Sequence, residues 1–173
     1  MPAKTAKTTS EEIVTLPLSV EEVTVKNKDS LEKIVVEELW KIEGGLTIIG
    51  CEVPAENKVV DILCHDHNGQ LVLLMLNMNE DDAILFDGLQ TLNEVNRVRQ
   101  MLRYFNKDQK INDKEPARLI LVAPSFSTNM LTIATGISNV RISLYEWEYL
   151  QFGENKALRI TPISLSEAFK NRK

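Results

Sequence analysis

Three residues of types that commonly bind metals, Cys64, His65 and His67, lie almost side by side in the sequence. Zinc prefers thiolate and imidazole ligands, usually four of them in a tetrahedral arrangement. The segment reads as the end of a strand followed by a turn, so alternation along the strand sends Cys64 and His65 to opposite faces and leaves His67 in the turn. The sequence contains no second ligand pair with metal-site spacing. We therefore expect no zinc site here.

A polar stripe on a predicted helix could contact a phosphate backbone. Its members are Asn93, Arg97, Gln100 and Tyr104, with Arg103 beside them. At about 100° per residue the four fall within about 60° of one another. Arginine and amide side chains are common phosphate contacts in protein–DNA complexes. The four include a single charge, so a solvated helix face explains them equally well, and both interpretations stay open.

The elements that position these residues follow from hydrophobic spacing. Apolar residues recur at helical intervals over residues 31–42, with Ser30 as the expected N-cap and Gly44 at the end of the helix. Three strand candidates follow, at residues 46–51, 58–66 and 70–77. The pair Asn68 and Gly69 between the last two predicts a hairpin, because both residues tolerate positive φ.

A long helix is predicted next. Asp87 and Gln90 resemble a capping box at its start. Its expected buried side consists of apolar residues at helical spacing, namely Leu92, Val95, Val98, Leu102 and Phe105.

The second half of the chain alternates strand and helix. Residues 118–123 form a continuous apolar run of the kind buried on both faces of a sheet. A helix fits within residues 124–138, and further strands fit residues 140–150 and 158–164. Strand, helix and strand at this spacing imply a right-handed crossover and a mixed sheet.

The domain organisation follows from composition along the chain. Residues 1–12 are too polar to bury and are predicted to be a disordered tail. Residues 13–29 form an arm or edge strands, since Pro17 keeps a strand at an edge. Residues 30–173 form the main domain.

Overall composition excludes several classes of protein. The chain has 173 residues, 43% of them apolar, and a formal net charge of −5. This fits one folded domain rather than a disordered or generally nucleic-acid-coating protein. Cys51 and Cys64 cannot form a disulfide framework and are expected to be reduced and buried. Without an apolar run of membrane-spanning length or a signal-peptide pattern, we expect a cytoplasmic protein.

The order helix, three-strand meander, helix, strand, helix, strand resembles the restriction-endonuclease-like fold of the PD-(D/E)xK nuclease superfamily. The resemblance is to the domains of NucS-type and related Holliday-junction-type endonucleases and covers residues 30–145. Four segments carry it, at residues 31–54, 60–77, 98–105 and 118–124. It implies an α/β fold with a mixed sheet flanked by helices, a core of order α-β-β-β-α-β-α-β, and an N-terminal arm.

The resemblance also assigns site residues. Glu32 matches the family's first-helix glutamate, and Asp61 matches its strand aspartate. Gln100 and Tyr104 match the Gln-x-x-x-Tyr pair of the later helix, with Arg103 completing an Arg-Tyr step.

The family's Glu-x-Lys positions carry Met75 and Asn77 instead. Metal-assisted phosphodiester hydrolysis needs hard oxygen ligands for Mg²⁺ and a lysine that orients or deprotonates the attacking water. A thioether and a neutral amide supply neither. We therefore expect a degenerate active site without a cofactor, in which Glu32 and Asp61 could at most bind a metal weakly.

Three functions remain open. In the first, the protein has lost catalysis and binds nucleic acid or a protein partner. In the second it is an active Mg²⁺- or Mn²⁺-dependent DNA endonuclease whose ligands Glu32 and Asp61 are joined by Glu52 or by Glu80, with Lys58 replacing the missing lysine. The Glu80, Asp81 and Asp82 cluster otherwise reads as a loop surface.

The third function is structural, as a homodimer without a nucleic-acid role. The arm over residues 13–25 and the aromatic strand over residues 145–152 offer sheet edges and apolar surface. Such edges are normally covered, and a symmetric homodimer is the default way to cover them.

The apolar run of residues 71–76 predicts that Met75 packs against apolar side chains, with the first helix as one source, and partly fills the former metal pocket. Combining Met75→Glu with Asn77→Lys should then lower the free energy of unfolding by about 1–3 kcal/mol, unless the new charges pair or a metal enters. Thermal melts with and without Mg²⁺ measure this. A double mutant as stable as the parent without metal would show an open, solvated pocket.

Overall fold

The computed structural model describes residues 19–56 and 58–165. The predicted tail and the first part of the arm lie outside these residues. The elements in chain order are β1 (Val20–Glu22), α1 (Lys28–Glu37), β2 (Thr47–Ala55), β3 (Lys58–His65), β4 (Leu71–Leu76), α2 (Ala83–Phe105), β5 (Arg118–Ala123), α3 (Thr128–Gly136), β6 (Ile142–Phe152) and β7 (Asn155–Ile163). A short 3₁₀ turn, Leu39–Lys41, follows α1.

The strands form one mixed sheet, as the sequence predicts, and this sheet has seven strands within the described residues. β2, β3 and β4 are an antiparallel meander, and β4, β5 and β6 run parallel through the two helical crossovers. β7 pairs antiparallel with β6 on the side away from β5. β1 pairs with the far end of β6, beyond the residues that contact β5. The two outer strands of the sheet are thus β2 and β7.

The core lies on both faces of the central strands. Every residue of β4 and β5 is buried, because helices cover the sheet on both sides. Leu31 and Val35 of α1 pack on one face, and Leu92 and Val95 of α2 pack on the other, together with α3. Gly88 lets α2 approach closely, since an added Cβ would lie 2.9 Å from a Leu119 methyl.

Two predicted helix starts are wrong. The N-cap of α1 is Asn27, whose side chain accepts a hydrogen bond from the Ser30 backbone N–H at 2.9 Å. Helix α2 begins at Ala83 rather than at Asp87. Its first turn is stabilised by burial of Ile84 against the sheet, a tertiary contact that outweighs the local capping signal.

The predicted buried side of α2 is correct for Leu92 and Val95, which are buried, and for Leu102, which is partly buried against the core, but not for the other two residues. Val98 is 41% exposed and Phe105 is 73% exposed. The helix has 23 residues and is about 34 Å long, whereas the six residues of β5 span about 20 Å. The last turns of α2 therefore extend past the strands that would have covered them.

Within the described ranges, no helix combines the length and the apolar character needed to cross a membrane.

Candidate functional site

Asp61 lies where β3 and β4 separate. The two strands pair up to Ile62 and Leu74. Beyond that pair, the Asp61 side chain, rather than the backbone of β3, accepts the hydrogen bond from β4. Its Oδ2 accepts the backbone N–H of Leu76 at 2.6 Å. Asp61 is only 5% exposed. One oxygen of the Asp61 carboxylate therefore stabilises the end of β4.

The other oxygen of Asp61 is bound by a residue that the sequence analysis missed. Nζ of Lys28 lies 2.7 Å from Asp61 Oδ1. Lys28 is the first residue of α1 and its side chain is 47% exposed. It stands one helical turn before Glu32, and residues four apart share a helix face. That spacing is the signal that could have identified it.

Glu32 and Glu52 lie beside this ion pair. Burial raises the pKa of the Glu32 carboxyl above its ordinary value. The negative charges of Glu52 and Asp61 raise this pKa further, while a hydrogen bond from the Cys51 thiol lowers it. Glu52 lies between two paired positions of β2, opposite Asp61, and has a positive φ of 48°. The structure thus brings together three predicted carboxylates.

Cys51 is exposed, and only Cys64 has the expected burial. Burial raises the pKa of the Cys51 thiol, and the neighbouring Glu32 charge raises it further. Neither favours a reactive thiolate.

Met75 is 7% exposed and belongs to the hydrophobic core. Its burial agrees with the sequence analysis, but the covering helix is different. The core cluster that contains Met75 includes Ile84 and Leu85 of α2, and α1 packs on the opposite face of the sheet. The side chain at the position that the family resemblance predicts for a metal-ligating glutamate is thus a packed thioether.

A small cavity of about 90 Å³ remains beside Met75 and Asn77. Lys28 lines it, together with Asp81 and Asp87. The backbone of Asn77 is fixed, because its N–H donates to the Val122 carbonyl and its carbonyl accepts from the Trp147 indole at 2.9 Å.

Of the predicted replacement residues, Glu52 lies beside Asp61, whereas Glu80 and Lys58 are bound to other side chains. Glu80 accepts a hydrogen bond from the Ser125 hydroxyl at 2.8 Å, which ties it to the loop after β5. Lys58 pairs with Asp87, with 2.8 Å between Nζ and Oδ1. Neither side chain is bound to Asp61.

The polar stripe of α2 is exposed, and its later residues, Gln100 and Tyr104, lie far along the helix from this cavity. Gln100 is thirteen residues beyond Asp87, which is about 20 Å along a helix. Exposed members of the stripe include Asn93 and Tyr104. Arg97 pairs with Glu56 at 3.4 Å. The residues assigned from the family pattern therefore fall into two separate groups.

The second arginine beside the stripe is paired as well. Arg103 contacts Asp113, with 2.7 Å between the guanidinium and the carboxylate. The two arginines that the sequence analysis assigned to phosphate contacts thus already have carboxylate partners.

The residues around Asp61 do not fit Mg²⁺, which demands about six oxygen ligands in near-octahedral geometry. Both Asp61 oxygens already accept hydrogen bonds. In the part of the chain that the structure describes, no group of three or more His, Cys, Asp or Glu side chains could hold a metal ion.

His65 has a structural role. One ring nitrogen is hydrogen bonded to the Asp66 carbonyl at 2.9 Å and the other to the Gln109 side chain at 3.0 Å. With both nitrogens engaged, the ring holds the β3–β4 hairpin against the loop after α2.

Residues 27–146 match the family model of the endonuclease NucS C-terminal domain. The chain belongs to this family. The match includes α1, the strand meander and α2, and so includes the Asp61 site of this NucS-type domain. The expected family resemblance is confirmed.

Two solved structures are similar to part of this chain. A repair endonuclease from Pyrococcus abyssi shares 22% identity with a TM-score of 0.46 over 73% of this chain and 50% of its own. EndoMS in its dsDNA2 complex shares 20% identity with a TM-score of 0.46 over 73% of this chain and 47% of its own. The chain spans about half the length of these structures. No curated protein matches it.

Lys28→Met removes the counter-ion of the buried Asp61 carboxylate. Because the ammonium is half exposed, we expect a loss of about 1–2 kcal/mol in the free energy of unfolding. Asp61→Asn retains an oxygen acceptor for the Leu76 N–H, so adding Lys28→Met to it should cost less than about 0.5 kcal/mol. Urea denaturation of the parent, the two single variants and the double variant gives the coupling free energy between Lys28 and Asp61.

Lys33→Met on the exposed side of α1 is the matched control. Additive effects at positions 28 and 61 would mean that the contact between Lys28 and Asp61 contributes no stability.

Proposed function

We propose that this NucS-type domain does not hydrolyse phosphodiester bonds and acts by binding a protein partner. The observation that carries the proposal is the Lys28 ammonium bound to Asp61 Oδ1. A side-chain cation stands at the carboxylate that the family pattern assigns to metal chemistry. It neutralises that carboxylate but brings no vacant coordination position for a phosphate or a water.

The chemistry of the neighbouring positions supports the same conclusion. Met75 offers a soft, buried sulfur and Asn77 a neutral amide, so neither a hard ligand nor a general base stands at these positions. Glu80 and Lys58, the replacements that an active enzyme would use, are bound to Ser125 and Asp87.

Charge around the former site favours a protein partner over a nucleic acid. Acidic residues outnumber basic ones there, with Glu32, Glu52, Asp61, Asp81 and Asp87 against Lys28 and Lys58. A surface of this sign repels a phosphate backbone, whose binding depends on cationic contacts. The arginines of the α2 stripe, which could have supplied such contacts, pair with Glu56 and Asp113.

An apolar strip on the last turns of α2 offers a binding surface. We define this strip as Val98, Met101 and Phe105, which are 41%, 57% and 73% exposed. Their spacing places them on neighbouring positions of the helix surface. Contiguous exposed apolar residues of this kind commonly mark protein interfaces.

The partner we favour is a second copy of the chain. The edges first considered for a dimer are used within the chain, because β1 and β7 both pair with β6 and Trp147 is buried. The apolar strip, in contrast, groups three exposed apolar side chains on one helix of the part of the chain that the structure describes. Two antiparallel copies of α2 would cover both strips across a two-fold axis. Such a dimer is in keeping with the cytoplasmic location expected from the sequence.

Incubation with single-stranded, double-stranded and branched DNA in Mg²⁺ or Mn²⁺ should yield no cleavage above a blank, because the site does not fit a metal. Gel electrophoresis of labelled DNA detects the products, and an endonuclease with an intact Glu-x-Lys pattern serves as the positive control. Robust cleavage that Asp61→Ala abolishes would overturn the proposal. Tight DNA binding without cleavage would instead favour a nucleic-acid role for the α2 stripe.

The dimer is tested by light scattering. The parent should have the mass of two chains at micromolar concentration, and Met101→Asp combined with Phe105→Asp should have the mass of one, because charges would be buried without partners. Glu37→Gln with Lys33→Gln on the exposed side of α1 is the control and should remain dimeric. A monomeric parent would remove the support for self-association.

A further inference from the structure

A second cavity lies between the end of β2 and the middle of α2. Its volume is about 240 Å³. Most of its lining is apolar and includes Val53, Leu63, Val95 and Leu102. It shares no lining residue with the small cavity beside Met75, so the two are separate sites.

Glu94 is the unusual residue of this cavity. It lines the wall and is only 7% exposed. Its Oε2 is fully buried and accepts no hydrogen bond from any residue that the structure describes. A buried carboxylate without a donor is costly, and nothing in the fold or in the former nuclease site uses this one.

The other charges of the cavity leave Glu94 without a partner. Arg97 and Glu56 also line the wall, and the Arg97 guanidinium lies 3.4 Å from the Glu56 carboxylate. This pair is largely exposed, with side-chain accessibilities of 64% and 57%. The two charges cancel, so the cavity carries the net charge of one buried carboxylate.

From this geometry we propose that the cavity binds an organic monocation, a primary amine attached to an apolar body. The ammonium would pair with the carboxylate of Glu94, which lines the wall, and the apolar body would contact the side chains around it. A dry cavity of about 150 Å³ accommodates benzene, so 240 Å³ is sufficient for one ring with a short aminoalkyl chain. A lone carboxylate is a poor site for a divalent metal, and an anion would meet only repulsion from Glu94. The proposal is independent of the loss of nuclease chemistry.

Calorimetric titration of the full chain with 2-phenylethylamine tests the proposal. The neutral isostere 2-phenylethanol is the matched ligand. The amine should bind at least about tenfold more tightly than the alcohol, because only the amine neutralises Glu94. Equal affinities, or no heat of binding by the amine up to about 10 mM, would overturn the proposal.

Variants distinguish the contribution of the Glu94 carboxylate to binding from that of the apolar cavity. Glu94→Gln should reduce amine affinity to that of the alcohol, whereas Glu37→Gln, which removes an exposed charge from α1, should leave it unchanged. Val98→Trp places bulk at the half-exposed rim and should block both ligands although the Glu94 carboxylate is retained. Retained preference for the amine in Glu94→Gln would overturn the proposal, as would unchanged binding in a folded Val98→Trp protein. Circular dichroism confirms folding.

Discussion

The architecture around the candidate site depends on the two bonds of one carboxylate. Asp61 is buried at the point where β3 and β4 part, and it satisfies the Leu76 N–H with one oxygen and the Lys28 ammonium with the other. The first bond closes the sheet where the strand ladder ends. The second fixes the start of α1 against that sheet. Asp61, which the family pattern associates with metal chemistry, therefore connects the sheet to the helix α1 that packs on it.

The sequence carries most of the fold because its signals are local and mutually consistent. The signals for two strands and one turn can be recognised from a few adjacent residues. These are the apolar runs of β4 and β5 and the hairpin at Gly69, and the structure contains all three. The start of α2 was misplaced because burial of Ile84 depends on the sheet, which a local capping pattern does not include.

The site was less predictable for a related reason. The absence of Glu and Lys at Met75 and Asn77 is readable in the sequence. Lys28 was missed because the resemblance assigns only Glu32 on the first helix, although the spacing of four residues places both side chains on one helix face. Glu94 could not be recognised either, because its burial depends on β2 lying over the middle of α2. Helical spacing correctly placed the residues of the polar stripe on one face of α2. It could not show how far along the helix Gln100 lies from the cavity.

The length of α2 has a consequence for how firmly its parts are held. Near Gly88 the helix is pressed against the sheet, while its last turns project beyond the strands. These turns are held by the partly buried Leu102, by a hydrogen bond from Arg99 to the Asp113 carbonyl and by the exposed ion pair of Arg103 with Asp113. Solvent-exposed ionic contacts contribute little compared with core packing, so these turns should open at a lower free energy than the rest. The apolar strip is carried by this weakly anchored end. Any partner that covers it also holds the helix together, and its affinity is thereby linked to local folding.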